Sequence, residues 1–346
     1  MKKKLTILLS LLLFGAVVKA QEDDKPGLSI SGSVDTYWKY DLSGYVSDEG
    51  TSNIGTSFAD NQNSISIGML DIALSQTVGK ASFVGEFSFG PRSFKSIPTF
   101  QIDSDDDINI NIQNLYITYA FTEKISMTAG YMGTFVGYEV ISPVPNFNYS
   151  TSYLFSFGPF QNAGLKLDWT ILDNLSVMVG IFNDWNVYQD FNGISDFGAQ
   201  VYWSPVEGWD LYVNFLTGDP SGTIIDVTTS YQITDKFFLG LNGARYNAPD
   251  SDAGYGGVAL YPQYAFSDLF SLGWRAEYFN IRSGDEPSVS DENVFANTIT
   301  GNFQMGPMRF LAEWRLDSGS SDFFVDGDTN PASSASQILL AAIYAF

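Results

Sequence analysis

The stretch "SQILLAAIYAF", residues 336–346, decides the fold. Ile338, Leu340, Ala342, Tyr344 and Phe346 form an apolar row at every second position, and the chain stops on the last of them. Chain ends are ordinarily polar and frayed. A period of two belongs to a strand whose neighbouring side chains point to opposite faces. This end is therefore expected to be a strand built into a sheet. Leu339, Ala341 and Ile343 make the second face apolar too, which requires a narrow or covered space on that side.

The same alternation recurs along the chain. In "MRFLAEWRL" Met308, Phe310, Ala312, Trp314 and Leu316 oppose Arg309, Glu313 and Arg315. In "AGLKLDWTI" Leu165, Leu167, Trp169 and Ile171 oppose Lys166, Asp168 and Thr170. Brief polar turns at 79–80, 122–124, 172–174, 206–208, 234–236, 267–269 and 306–307 have the composition of hairpin turns. Longer connections rich in Asp, Ser, Asn, Gly and Pro occupy about 41–62, 90–109, 136–160, 183–195, 219–222, 248–255, 283–293 and 317–335. Short and long connections alternate, which predicts sixteen strands with all long loops at one end.

Such a pattern predicts a transmembrane antiparallel up-and-down β-barrel, with short periplasmic turns and long extracellular loops. In lipid every backbone N–H and C=O needs a protein partner, so the sheet must close and the last strand must meet the first. Phe121, Phe266 and Phe346 lie near the expected turns or the end, and Trp38, Phe135 and Trp314 toward the loops, as two aromatic girdles would. A terminal Phe behind alternating apolar residues also resembles the insertion signal of outer-membrane barrels. That resemblance implies an encounter of Phe346 with the barrel-assembly machinery.

Lys2, Lys3 and Lys4 precede the apolar run from Leu5 to Val18, which is too short for a spanning helix of ~20 residues. Residues 1–20 read as a signal peptide cleaved near Ala20, leaving 21–346 as one barrel domain in the outer membrane of a Gram-negative bacterium. Loss of Lys2, Lys3, Lys4 and Lys19 leaves 13 basic against 39 acidic residues, a net charge of −26. That balance argues against nucleic acid as a partner. The chain has no Cys and no His. Disulfides, Ser-His and Cys-His catalysis and the commonest zinc ligands are thereby excluded. No cofactor motif is found.

Sixteen strands leave a water-filled channel, whereas eight are filled by side chains. Charges on the inward rows fit a wet lumen, since a dry one would penalise them. Asp35, Lys39, Glu86, Lys166, Asp168, Arg275, Glu277, Arg309, Glu313 and Arg315 are candidate pore-lining residues, with Glu139 on the third loop. That loop, 136–160, is the longest and the least charged, and is expected to fold inward and constrict the pore.

The stretch "GYMGTFVGYEVISPVPNFNYSTSYLFSFGPFQNAGLKLDW" resembles the OmpL-like outer-membrane β-barrel porin family. The matching positions are Gly137, Glu139, Asn146, Asn148, Ser150, Ser152, Pro159, Phe160 and Gly164. Thr151 and Asn162 depart from it, standing where the family often has Arg and His. The resemblance implies a porin for small hydrophilic solutes or ions, surrounded by outer-membrane lipid. It leaves a homo-oligomer open and specifies no solute. A structural or adhesive surface role, and a barrel-borne hydrolase built on Asp/Glu or Ser-Lys chemistry, remain as alternatives. Asp103, Asp105, Asp106 and Asp107 in "DSDDD" are weak candidates for a divalent cation, more in keeping with a solvated loop face. "DGDTN" at 326–330 lacks the Gly and Glu of a calcium loop.

Overall fold

The computed structural model describes residues 27–55, 58–96, 111–284 and 291–346. The leader segment, its cleavage position and the DSDDD run lie outside these residues.

The chain forms a closed antiparallel barrel of sixteen strands. Its strands are β1 (Ser29–Asp41), β2 (Ile65–Val78), β3 (Ala81–Phe89), β4 (Asn111–Ala120), β5 (Ile125–Gly133), β6 (Gln161–Leu172), β7 (Leu175–Phe182) and β8 (Asp196–Trp203). They continue as β9 (Trp209–Gly218), β10 (Gly222–Gln232), β11 (Phe237–Asn247), β12 (Gly254–Ala265), β13 (Phe270–Arg282), β14 (Glu292–Met305), β15 (Met308–Gly319) and β18 (Ser334–Ala345). A two-residue hairpin, β16 (Phe324–Val325) and β17 (Pro331–Ala332), decorates the last loop. Two short helices, α1 (Pro91–Ser96) and α2 (Tyr153–Phe157), lie in the second and third long loops.

Each strand pairs with its sequence neighbour, and β18 pairs with both β15 and β1. The seam runs from Ser33 opposite Ala345 to Asp41 opposite Gln337. Phe346 extends it, exchanging two backbone hydrogen bonds of 3.0 Å with Gly32. A Cβ on Gly32 would lie 2.8 Å from the Phe346 ring, so glycine leaves room for the terminal side chain. Connections at the chain-terminal rim are short. Two of them turn on Gly79 and Gly306, both at φ +60°, a conformation that costs glycine little.

Alternation translates into two surfaces. Ile338, Leu340, Tyr344 and Phe346 face outward and are exposed, as are Trp169, Trp203, Trp274 and Trp314 elsewhere on the wall. A continuous exposed apolar band suits hydrocarbon rather than water. Phe121 and Phe266 take part in the outward aromatic band at the turn rim, paired with Tyr119 and Tyr264. Phe135 does not belong to a girdle. It packs on the inward-facing Phe182, ring centroids 5.7 Å apart, because the third loop has already turned into the barrel there.

The apolar inner face of the last strand is explained by a cover. Leu339, Ala341 and Ile343 cluster with Tyr37 and Leu311 of the wall, Ala59 of the first loop and Tyr149 of the third.

Candidate functional site

Residues 134–160 connect β5 to β6 and fold into the barrel. Locally, Asn146 closes a small ring, accepting from the Val140 N–H at 3.0 Å and donating to its carbonyl at 2.7 Å. Ser152 caps α2, its hydroxyl accepting from the Phe155 N–H at 3.1 Å. Glu139 reaches back to accept from the Ser152 N–H at 2.7 Å, tying the two arms of the loop together.

The loop is then held to the wall over a wide arc. On β10, Asp226 accepts from the Gly137 N–H at 3.0 Å. Tyr138 stacks on Tyr261 of β12 at 4.3 Å, crossing Gly240 of β11, where a Cβ would clash with its hydroxyl. Phe147 lies against Gly273 of β13 in the same manner. On β14, Thr300 accepts from Asn148 at 2.6 Å, and Asn302 donates to the Phe147 carbonyl at 3.0 Å.

Charged wall residues finish the attachment. Arg275 donates to Glu139 at 2.7 Å, and to the carbonyls of Ser150 at 2.6 Å and Thr151 at 3.2 Å. The Glu277 carboxylate accepts from the Tyr153 and Leu154 N–H groups at 2.9 and 2.8 Å, satisfying donors that the first turn of α2 leaves free. Glu313 accepts from the Tyr149 N–H at 3.0 Å and from the Ser150 hydroxyl. Arg315 forms an ion pair of 2.8 Å with Asp317 and donates to the Thr151 carbonyl at 2.8 Å. Tyr149 donates to Asp35 of β1. Near the turn rim Arg309 donates to the carbonyls of Pro143 and Val144. Charges removed from water require such partners, and here each is matched to backbone dipoles or an opposite charge.

The inward direction of the eleven predicted residues follows from alternation, with Glu139 supplied by the loop. Contact with water does not follow for most of them. Asp35, Lys39, Glu139, Arg275, Glu277, Glu313 and Arg315 are at most 5% exposed. They form the seat of the loops rather than a wet wall, because the loops bury the face that alternation assigns to the lumen. Lys39 holds the first loop, donating to the Ile54 and Ala59 carbonyls at 2.9 and 2.6 Å. Glu86 accepts from Asn114 and is half-buried. Lys166 and Asp168, an ion pair of 3.2 Å, are 27% and 38% exposed and look into open space.

Arg92 of α1 escaped the sequence reading. Fully buried, it stacks over Phe58 and Tyr149 at 4.5 and 4.9 Å and donates to the Ile141 carbonyl at 2.7 Å, joining three loops. An arginine beside an aromatic in the "PRSF" of that loop was the available signal. Asp317 was missed because β15 runs to Gly319, beyond the expected start of the loop.

Residues 27–346 match the family model described as "Putative beta-barrel porin-2, OmpL-like". Among solved structures the chain is similar to the outer membrane channel DcaP of Acinetobacter baumannii, with 12% identity and a TM-score of 0.63 over 92% of this chain and 97% of that one. It is likewise similar to OmpF of Salmonella typhi, at 10% identity and TM-score 0.62 over 93% and 98%. The anion-selective porin of Comamonas acidovorans gives 10% identity and TM-score 0.60 over 92% and 99%. No curated protein matches the sequence. At these identities the structural likeness concerns the fold.

Proposed function

The chain belongs to the OmpL-like β-barrel porin family, and from that premise we propose that it is a passive outer-membrane channel for small hydrophilic solutes, narrowed by residues 134–160. The observation that carries this reading is a long loop seated inside a closed barrel, with part of the inward wall left uncovered. A structural or adhesive protein has no need of a loop so firmly placed in its lumen. A hydrolase is disfavoured by a chain without His or Cys. The mature protein begins at Gln21, and Phe346 presents the closing strand to the assembly machinery. A trimer form of OmpT of Vibrio cholerae shares the fold, which makes a homo-oligomer a reasonable assembly here.

Planar-bilayer recording tests the reading. Purified, heat-modifiable protein is expected to give stable ohmic steps, and vesicles containing it are expected to admit small sugars. Folded protein that inserts and stays silent would refute it.

A further inference from the structure

The third loop covers one arc of the wall and leaves another open. Its polar contacts fall on β10, β13, β14, β15 and β1. On β7 and β8, Phe135 meets Phe182 and the Phe135 carbonyl accepts from Gln200 at 3.2 Å. Several inward side chains from β3 to β9 are half-exposed, Glu86, Tyr116, Lys166, Asp168, Asp210 and Tyr212, although Thr128 and Met178 beside them are buried.

The charges on the two arcs differ in what they face. Beneath the loop, the carboxylates of Glu277 and Glu313 are occupied by backbone N–H groups, and Arg275 and Arg315 by carbonyls and acids. A permeating ion cannot touch them. Arg309 is tucked under Pro143 and Val144. Among the described residues of the open arc, the acids Glu86, Asp168 and Asp210 outnumber the cation Lys166, which is paired with Asp168. Asp210 is steadied by the Tyr202 hydroxyl, which donates to it at 2.6 Å. A net excess of one sign in a confined wet passage sets which ions accumulate there.

We propose that solutes pass off-centre, between the third loop and the β3–β9 wall, and that Asp168 and Asp210 make this passage cation-preferring while the buried arginine–carboxylate seat takes no part in selectivity. The inference rests on the channel reading and adds the route and the sign. A chain free of cysteine permits a direct test. Tyr116→Cys and Tyr212→Cys lie on the proposed route, whereas Ala259→Cys lies on β12 in the fully buried cluster with Val136 and Tyr153 of the loop.

In bilayers under a potassium chloride gradient, the wild type is expected to pass cations more readily than anions. Asp168→Asn and Asp210→Asn should each reduce the permeability ratio by about twofold at low salt, a wall charge being felt over a Debye length of roughly 10 Å or more. Lys166→Gln should raise it. A charged methanethiosulfonate should step the current down in Tyr116→Cys and Tyr212→Cys and leave Ala259→Cys unchanged. Anion preference, ratios indifferent to all three charge variants, or block at Ala259→Cys without block at the other two would overturn the inference while leaving a channel. Absence of any conductance from folded wild type would instead remove the channel reading beneath it. Should an Asp variant fail to fold, Lys166→Gln and the thiol reactions still decide.

Discussion

Arg275→Met removes the only basic side chain within hydrogen-bonding distance of Glu139 among the described residues. Arg275 is fully buried and Glu139 nearly so, and the guanidinium also serves the Ser150 and Thr151 carbonyls and the Thr298 hydroxyl. Deleting one member of a buried pair leaves an uncompensated charge, at about 3–5 kcal/mol. The ladder of the barrel is untouched, so this loss falls on the docking of the loop. It corresponds to a shift of roughly a hundred- to several thousand-fold between docked and released loop. The assay is single-channel recording on protein whose heat-modifiability shows an intact barrel. Arg275→Met should conduct more, or flicker toward a larger open state. Replacing both partners, with Arg275→Met and Glu139→Gln, should restore part of the wild-type behaviour, since an apolar or neutral pair costs less than half an ion pair. Wild-type conductance and noise in the folded single variant would refute the claim that this pair fastens the loop.

Other consequences concern packing, lipid contact and closure. Gly273→Val places a side chain where the Phe147 ring lies, 2.3 Å from the ideal Cβ, and should loosen the loop by about 1–3 kcal/mol while β13 still forms, seen as altered conductance without loss of folded barrel. Leu340→Arg puts a charge on the exposed outer row and should cost ~2–4 kcal/mol if it sits near the bilayer midplane, measured as a lower denaturant midpoint in lipid vesicles. Deleting Phe346 removes two reciprocal hydrogen bonds to Gly32, each worth about 0.5–1.5 kcal/mol, and should lower the yield of heat-modifiable protein in refolding assays.

Strand positions were legible because alternation is local and lipid on one side enforces it. The seam between β1 and β18 followed from the need to pair every backbone group. What escaped was which inward charges meet water. Glu139 and Arg275 are far apart in sequence, and nothing near either one signals the other. Leu339, Ala341 and Ile343 looked anomalous until Tyr149 and Ala59 were seen to cover them. Phe135 was misplaced for the same reason, its loop turning inward sooner than the sequence suggested. "DGDTN" proves to be a local turn. Asp326 accepts from the Asn330 and Asp328 N–H groups at 2.8 and 2.9 Å, and the Asn330 side chain, which also donates to it, helps hold its carboxyl below the usual range.

Seating of the third loop inside the closed barrel is tested most directly by an engineered cross-link. Asn148 and Thr300 touch through a 2.6 Å hydrogen bond, one on the loop and one on the inner face of β14, and the chain has no other thiols to interfere. Asn148→Cys with Thr300→Cys, oxidised in intact outer membranes and read by peptide mass spectrometry, should give one loop-to-wall disulfide in nearly all molecules. Two free thiols after oxidation, in protein whose barrel is folded, would contradict it.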